Sequence, residues 1–150
     1  MKTPTRYIIT ALMLAVAAAP ALATEPVGYA PAKVVYDVSS VDPSKFIQIL
    51  DRVSLLQTLY GNDPFAASIV VVIHDGAIQL FANGTPKHHQ DLARRAQDLA
   101  IGDVIQFRLC QASAKMQGFS RSDFEDFIKL VPMADAEIVR LQHDGYAYLH

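Results

Sequence analysis

Hydrophobic positions along this chain switch between two periods, and the switches mark out its elements. Residues 33–39 (KVVYDVS) have the β-branched content of a strand. Phe46, Ile49, Leu50, Val53, Leu56 and Tyr60 then fall on one helical face. Asp42 supplies an N-cap for that helix, Pro43 its first position and Gly61-Asn62 its stop. Residues 69–73 (IVVVI) are apolar throughout, the pattern of a strand buried on both faces of a parallel sheet. His74-Asp75-Gly76 closes it, and a short apolar segment, 77–81, follows.

The second half repeats the scheme. Thr85-Pro86 opens a helix with Leu92, Ala96 and Leu99 inward and Gly102 past its end. Residues 104–109 form a strand that runs directly into Cys110, and residues 111–117 form a short helix stopped by Gly118. Ser122 and Glu125 have the spacing of a capping box, which predicts a further short helix carrying Phe124, Phe127 and Ile128. Leu130-Val131 is a brief strand cut by Pro132. Residues 135–143 read as a helix ended by Gly145, and residues 146–149 as a last strand.

Strands alternating with helices predict an α/β fold: a single domain with a mainly parallel sheet of about five strands flanked by helices. In open sheets of this class ligands bind beyond the carboxyl ends of the strands. The residues at that edge are Ser39-Ser40, His74-Asp75-Gly76, Cys110 and Pro132-Met133.

The first 32 residues stand apart from this pattern. Lys2 and Arg6 precede an apolar stretch over 7–19, and Ala21-Leu22-Ala23 is a small-x-small cleavage signal. Residues 1–23 are therefore expected to be a secretory signal peptide, residues 24–32 a flexible Pro-, Gly- and Ala-rich lead-in, and 33–150 the domain. The apolar stretch is shorter than the roughly 20 residues of a comfortable membrane span. The expected location is periplasmic or secreted, with no membrane attachment after cleavage. Removing Lys2 and Arg6 from the 13 basic residues leaves 11 against 15 acidic ones, a formal charge of −4. With no basic patch, nucleic acid is not an expected partner.

Cys110 is the single cysteine of the chain, so disulfides cannot staple the fold. It stands at the entrance of a helix, where unpaired N–H groups stabilise an anion and favour thiolate over thiol. Arg108, two residues earlier on the same strand, points to the same face. The other reading of the pair is a buried apolar cysteine beside an arginine in a rim salt bridge, and position alone leaves the two even. His74 is a candidate proton shuttle or hydrogen-bond partner for the thiol, although a strand-end histidine more often satisfies the backbone. Lys115, on the helix after Cys110, is placed to attract an anionic sulfur species or simply to be solvated. Adjacent His88-His89 cannot both face one metal, and no HExxH or Cys/His pairing occurs, so no metal is assigned. No cofactor is assigned either: CxxC, GxGxxG, Walker and GxSxG motifs are lacking, and the first strand–helix turn, SSVDPS, has no glycine.

Four segments in order, KVVYDVSS, IVVVIHDGAI, VIQFRLCQASAKMQGF and VPMADAEIVRLQHDGYAYLH, resemble the DsrE/DsrF-like family. These are small α/β proteins of the YchN-like fold associated with sulfur relay, and the last segment is similar to the ending of exported members. The resemblance implies a cysteine that holds sulfur as a persulfide and passes it on, a role that falls on Cys110. His74 matches the strand-end histidine, but Asp75 follows it where the family usually has glycine. Also implied are homo-oligomers, often trimers or hexamers, and sulfur donor and acceptor proteins. Because relay members with dedicated partners are cytoplasmic, those partners do not transfer to an exported chain. The resulting expectation is a periplasmic sulfur-handling protein, either a sulfurtransferase or a sulfur carrier, with Cys110, His74 and Arg108 as site residues. The alternative is a non-catalytic oligomeric binding module that uses the same strand edge for a small ligand or protein partner.

The signal pattern predicts a mature N-terminus at Thr24. N-terminal sequencing of the periplasmic fraction checks this, and a full-length chain retained in the membrane would contradict it.

Overall fold

The computed structural model describes residues 28–150. The signal expected at 1–23 and the first residues of the lead-in, 24–27, lie outside them. Residues 28–31 enter without regular structure. The elements that follow are β1 (Ala32–Val38), α1 (Pro43–Leu59), β2 (Ala67–Ile73), a 3₁₀ helix (Asp75–Leu80), α2 (Lys87–Leu99), β3 (Ile105–Cys110), α3 (Gln111–Met116), a 3₁₀ turn (Arg121–Asp123), β4 (Lys129–Val131), α4 (Ala134–His143) and β5 (Ala147–Leu149). The strands form one sheet in the order β4-β3-β2-β1-β5, with every neighbouring pair parallel. The fold is thus the helix-flanked parallel α/β sheet that the alternation predicts.

Strand alternation divides the core in two. Val34, Tyr36 and Val38 of β1 and Ile69, Val71 and Ile73 of β2 face the layer built by α1, the first 3₁₀ helix and α2. Val35, Val70, Val72 and Cys110 face the other way, onto Ala134, Ile138 and Leu141 of α4. Central β2 therefore carries apolar side chains on both faces, and Ile69 through Ile73 have no solvent exposure. Helix α1 follows its periodicity: Phe46, Ile49, Leu50 and Val53 are buried, and the Asp42 carboxylate accepts the Ser44 N–H at 2.9 Å.

The segment at 121–128 departs from expectation. The interlocked pair is Ser120 with Asp123, not Ser122 with Glu125: one Asp123 carboxylate oxygen accepts the Ser120 N–H at 2.7 Å and its hydroxyl at 2.8 Å. Only a 3₁₀ turn forms, and Phe124 is already extended. Its spacing of aromatics reflects core anchoring rather than a helix. Phe124 and Ile128 are buried, Phe119 meets the Phe124 ring at 5.8 Å, and Phe127 meets Phe107 at 5.9 Å. Burying these anchors from an irregular segment removes the room for a regular turn. The apolar stretch after His74 is the first 3₁₀ helix, with Ala77, Ile78 and Leu80 buried.

At the far edge, β5 pairs with β1 through Val34↔Ala147, Val35↔Tyr148 and Tyr36↔Leu149. A side-chain bond across the pair, Tyr148 to Asp37 at 2.6 Å, reinforces it, and Tyr146, just before β5, bonds Ser68 of β2 at 2.8 Å. Truncation before Gly145 is expected to lower the melting temperature by more than about 5 °C, because it removes a strand and both bonds. Differential scanning calorimetry checks this, and an unchanged midpoint would show that β5 is dispensable.

Candidate functional site

Parallel pairing brings the carboxyl ends of all five strands to one edge. Asp37 of β1, His74 just past β2, and Arg108 and Cys110 of β3 lie on the α4 side of the sheet. Asp37, Val72 and Arg108 occupy one row across three strands.

Cys110 closes β3 and is the N-cap of α3. Its sulfur accepts the Ser113 N–H at 3.4 Å. The local sequence explains this arrangement: a strand running without a spacer into Gln111 leaves Cys110 as the half-helical residue, and its side chain takes the role usually filled by Ser or Asp. The residue is only 3% exposed, packed in the layer beneath α4. Lys115, on the same short helix, is exposed and lines a cleft of about 230 Å³ with Gln111, Ala114, Phe119 and Leu130.

Arg108 shares the face of Cys110, as expected, but its guanidinium is taken up by other partners. One terminal nitrogen donates to Glu137 of α4 and the other to Gln106 at 2.8 Å. Glu137 is also gripped by Arg140, whose Nη2 and Nε donate at 2.9 and 3.1 Å. These Arg140 bonds, followed by the bond and charge of Arg108, outweigh the desolvation of Glu137 and hold its carboxyl at about 2. The pair is nearly buried, with side-chain exposures of 9% for Arg108 and 11% for Glu137. Arg108 therefore pins α4 to β3 at the rim of the site.

His74 is not the hydrogen-bond partner of the thiol. Its Nε2 meets Asp37 at 2.6 Å and its Nδ1 meets Asp75 at 3.2 Å. Tyr148 donates to the other Asp37 oxygen at 2.6 Å, and this bond holds its hydroxyl above the ordinary phenol range. Asp75 in turn accepts the Ser113 hydroxyl at 3.3 Å. A continuous array, Tyr148–Asp37–His74–Asp75–Ser113, thus crosses the edge and ends at the residue whose amide donates to the sulfur. Beyond β1 a cleft of about 380 Å³ opens, lined by Asp37, Ser39, Ser40, Lys45 and Arg52.

Asp37, Tyr148, Ser113 and Glu137 were not legible as site residues. Two carried a signal. Asp37 is an acid within an apolar strand, and Glu137 lies one helical turn from inward-facing Leu141 and Ala134. Among the described residues no group of His, Cys, Asp and Glu is arranged to hold a metal ion, and no helix is long and apolar enough to cross a membrane.

The model of the DsrE/DsrF-like family matches residues 33–150. Among solved structures, a protein of unknown function from Methanobacterium thermoautotrophicum, MTH1491, is similar in fold, with a TM-score of 0.58 and 19% sequence identity. The match covers 79% of this chain and 97% of that one. No match was found among curated proteins.

The Glu137 contacts predict an acid-labile fold. A carboxyl held at about 2 when folded and near 4.5 when unfolded stabilises the protein above pH 4.5, and that contribution is lost as pH falls toward 2. Glu137→Gln is expected to lose about 3 kcal/mol at neutral pH and to show a flatter stability profile between pH 5 and 2. Urea unfolding at several pH values checks this, and parallel profiles for the two proteins would overturn it.

Proposed function

This chain belongs to the DsrE/DsrF-like family, and on that premise we propose that it handles sulfur through Cys110, as a persulfide carrier in the compartment to which its N-terminal signal would deliver it. The family suggests a role related to sulfur relay. The observation that carries the finer reading is the position of the Cys110 sulfur as the cap of α3, where it accepts the Ser113 N–H. A thiolate gains more from such a donor than a thiol does, because a charge-assisted hydrogen bond is the stronger one. Arg108 on the same face adds positive charge, moderated by its pairing with Glu137.

The chemistry is thiol exchange without net oxidation. The Cys110 thiolate attacks the outer sulfur of a persulfide or polysulfide. One sulfur–sulfur bond forms and the donor's sulfur–sulfur bond breaks; a persulfide donor leaves as a thiolate, and a polysulfide as an anion shorter by one sulfur. An acceptor thiolate then attacks the outer sulfur of the Cys110 persulfide, and Cys110 leaves with its electron pair. With one cysteine in the chain no internal thiol can discharge the persulfide. At 3% exposure the sulfur admits small inorganic species more readily than another protein's cysteine.

That same burial is the observation favouring a second reading, a non-catalytic binding module that uses the strand edge with Cys110 as a core residue. Incubation of the mature protein with polysulfide, followed by intact-mass analysis, separates the two. The carrier reading expects a gain of sulfur-atom mass that is reversed by a small thiol. In Cys110→Ser the gain is absent while the fold is retained. If no adduct forms, and Cys110 resists alkylation until the protein is denatured, the carrier reading fails and the binding module takes its place.

A further inference from the structure

The turn after β2 begins with a left-handed residue. Asp75 has φ +47, in the left-handed region. Glycine adopts that region freely and aspartate is among the few other residues that do. Gly76 follows in close approach to the β1–α1 turn, where a Cβ would stand 3.1 Å from the Val41 Cβ and 3.3 Å from the Ser39 carbonyl oxygen. With the chain pinned at Gly76, the left-handed residue before it is aimed in one direction, toward α3. The Asp75 carboxylate lies between His74 Nδ1 at 3.2 Å and the Ser113 hydroxyl at 3.3 Å. Its carbonyl accepts the Gln117 side-chain N–H at 2.7 Å. Asp75 therefore grips α3 at two points one turn apart, and the residue gripped at the first point is the one whose amide donates to the Cys110 sulfur.

We infer that Asp75 is a positioning residue for Cys110, acting through Ser113: it holds the first turn of α3 so that the Ser113 N–H stays aimed at the sulfur. His74, fixed at its other nitrogen by Asp37, which is itself held by Tyr148, steadies the Asp75 carboxylate from behind. This gives His74 work that does not require contact with the thiol. The chemistry of the inference rests on the carrier reading of Cys110, but the positioning itself does not.

Three variants separate positioning from a plain charge effect. Asp75→Gly removes the side chain and suits the left-handed backbone. Asp75→Asn removes the charge but keeps an acceptor for Ser113 and tolerates the same backbone. Ser113→Ala removes the hydroxyl grip, leaves the amide in place and suits a helix. Positioning predicts that hydrogen exchange at the Ser113 amide, followed by NMR, rises about fivefold or more in Asp75→Gly and Ser113→Ala and stays near wild type in Asp75→Asn. It also predicts that the pH midpoint of Cys110 alkylation moves upward in the first two variants and not in the third. Loss of a nearby negative charge alone would move the midpoint downward in both Asp75 variants. Unchanged Ser113 exchange in both Asp75→Gly and Ser113→Ala, or the downward movement just described, overturns the inference. If exchange responds as predicted but wild-type Cys110 is never alkylated in the folded protein, the positioning stands and the carrier reading fails.

Discussion

The layout of the sheet's carboxyl edge depends on the burial of β2 on both faces. A strand flanked by parallel neighbours and covered above and below by helices has little place for polar side chains: β2 carries one only near its amino end, Ser68, bonded to Tyr146, and Ile69 through Ile73 are apolar and fully buried. Past that apolar run polarity returns at His74, where the chain leaves the sheet. The same constraint acts more weakly on β1 and β3, which flank β2. There polar residues enter before the strands end, Asp37 in β1 and Gln106 and Arg108 in β3, and Asp37 and Arg108 are each held by a partner from another element. Polar side chains gather toward the carboxyl edge because the buried run of β2 excludes them.

The two covers of the sheet are unequal, and this decides what each can do. Helices α1 and α2 bury an apolar layer anchored by Phe46, Phe81 and Phe107. The opposite layer rests on the short helix α4, which is fastened by ion pairs as well as by apolar contacts. Arg108 reaches from the sheet to Glu137, and Glu137 is shared with Arg140. A buried ion pair is costly to break by removing one partner, since the other charge is left desolvated. Because that pair is adjacent to Cys110 on β3, the fastening of α4 and the surroundings of the sulfur are set by the same residues.

Cys110 itself sits between two demands. Capping α3 places its sulfur against a backbone N–H, a setting that suits an anion. Packing under α4 removes it from bulk water, a setting that suits a small apolar side chain. The geometry meets both by holding the sulfur at the boundary of the apolar layer with one donor aimed at it. The donor's direction then depends on α3, a helix of six residues too short to be rigid by itself. The Asp75 and Gln117 contacts provide the fastening that its length cannot.

The sequence by itself determined the alternation of strands and helices, the parallel character of the sheet and the location of Cys110 and His74 at its carboxyl edge. These are local matters: β-branched runs, helical periods, caps and stops act within a few residues and survive without knowledge of neighbours. It also placed Arg108 on the face of Cys110, since alternation along one strand is equally local. What only the tertiary structure decided is who meets whom across elements. Glu137 is 29 residues from Arg108, and Tyr148 is 111 from Asp37, separations over which no periodicity carries information. The segment at 121–128 shows the same limit in backbone form. Its aromatic spacing suited a helix, and burial of Phe124 and Ile128 against a core assembled by distant strands made it a turn instead. His74 is the clearest case: its place at the strand end was legible, but strand order and the left-handed turn at Asp75 directed its two nitrogens to carboxylates rather than to the thiol.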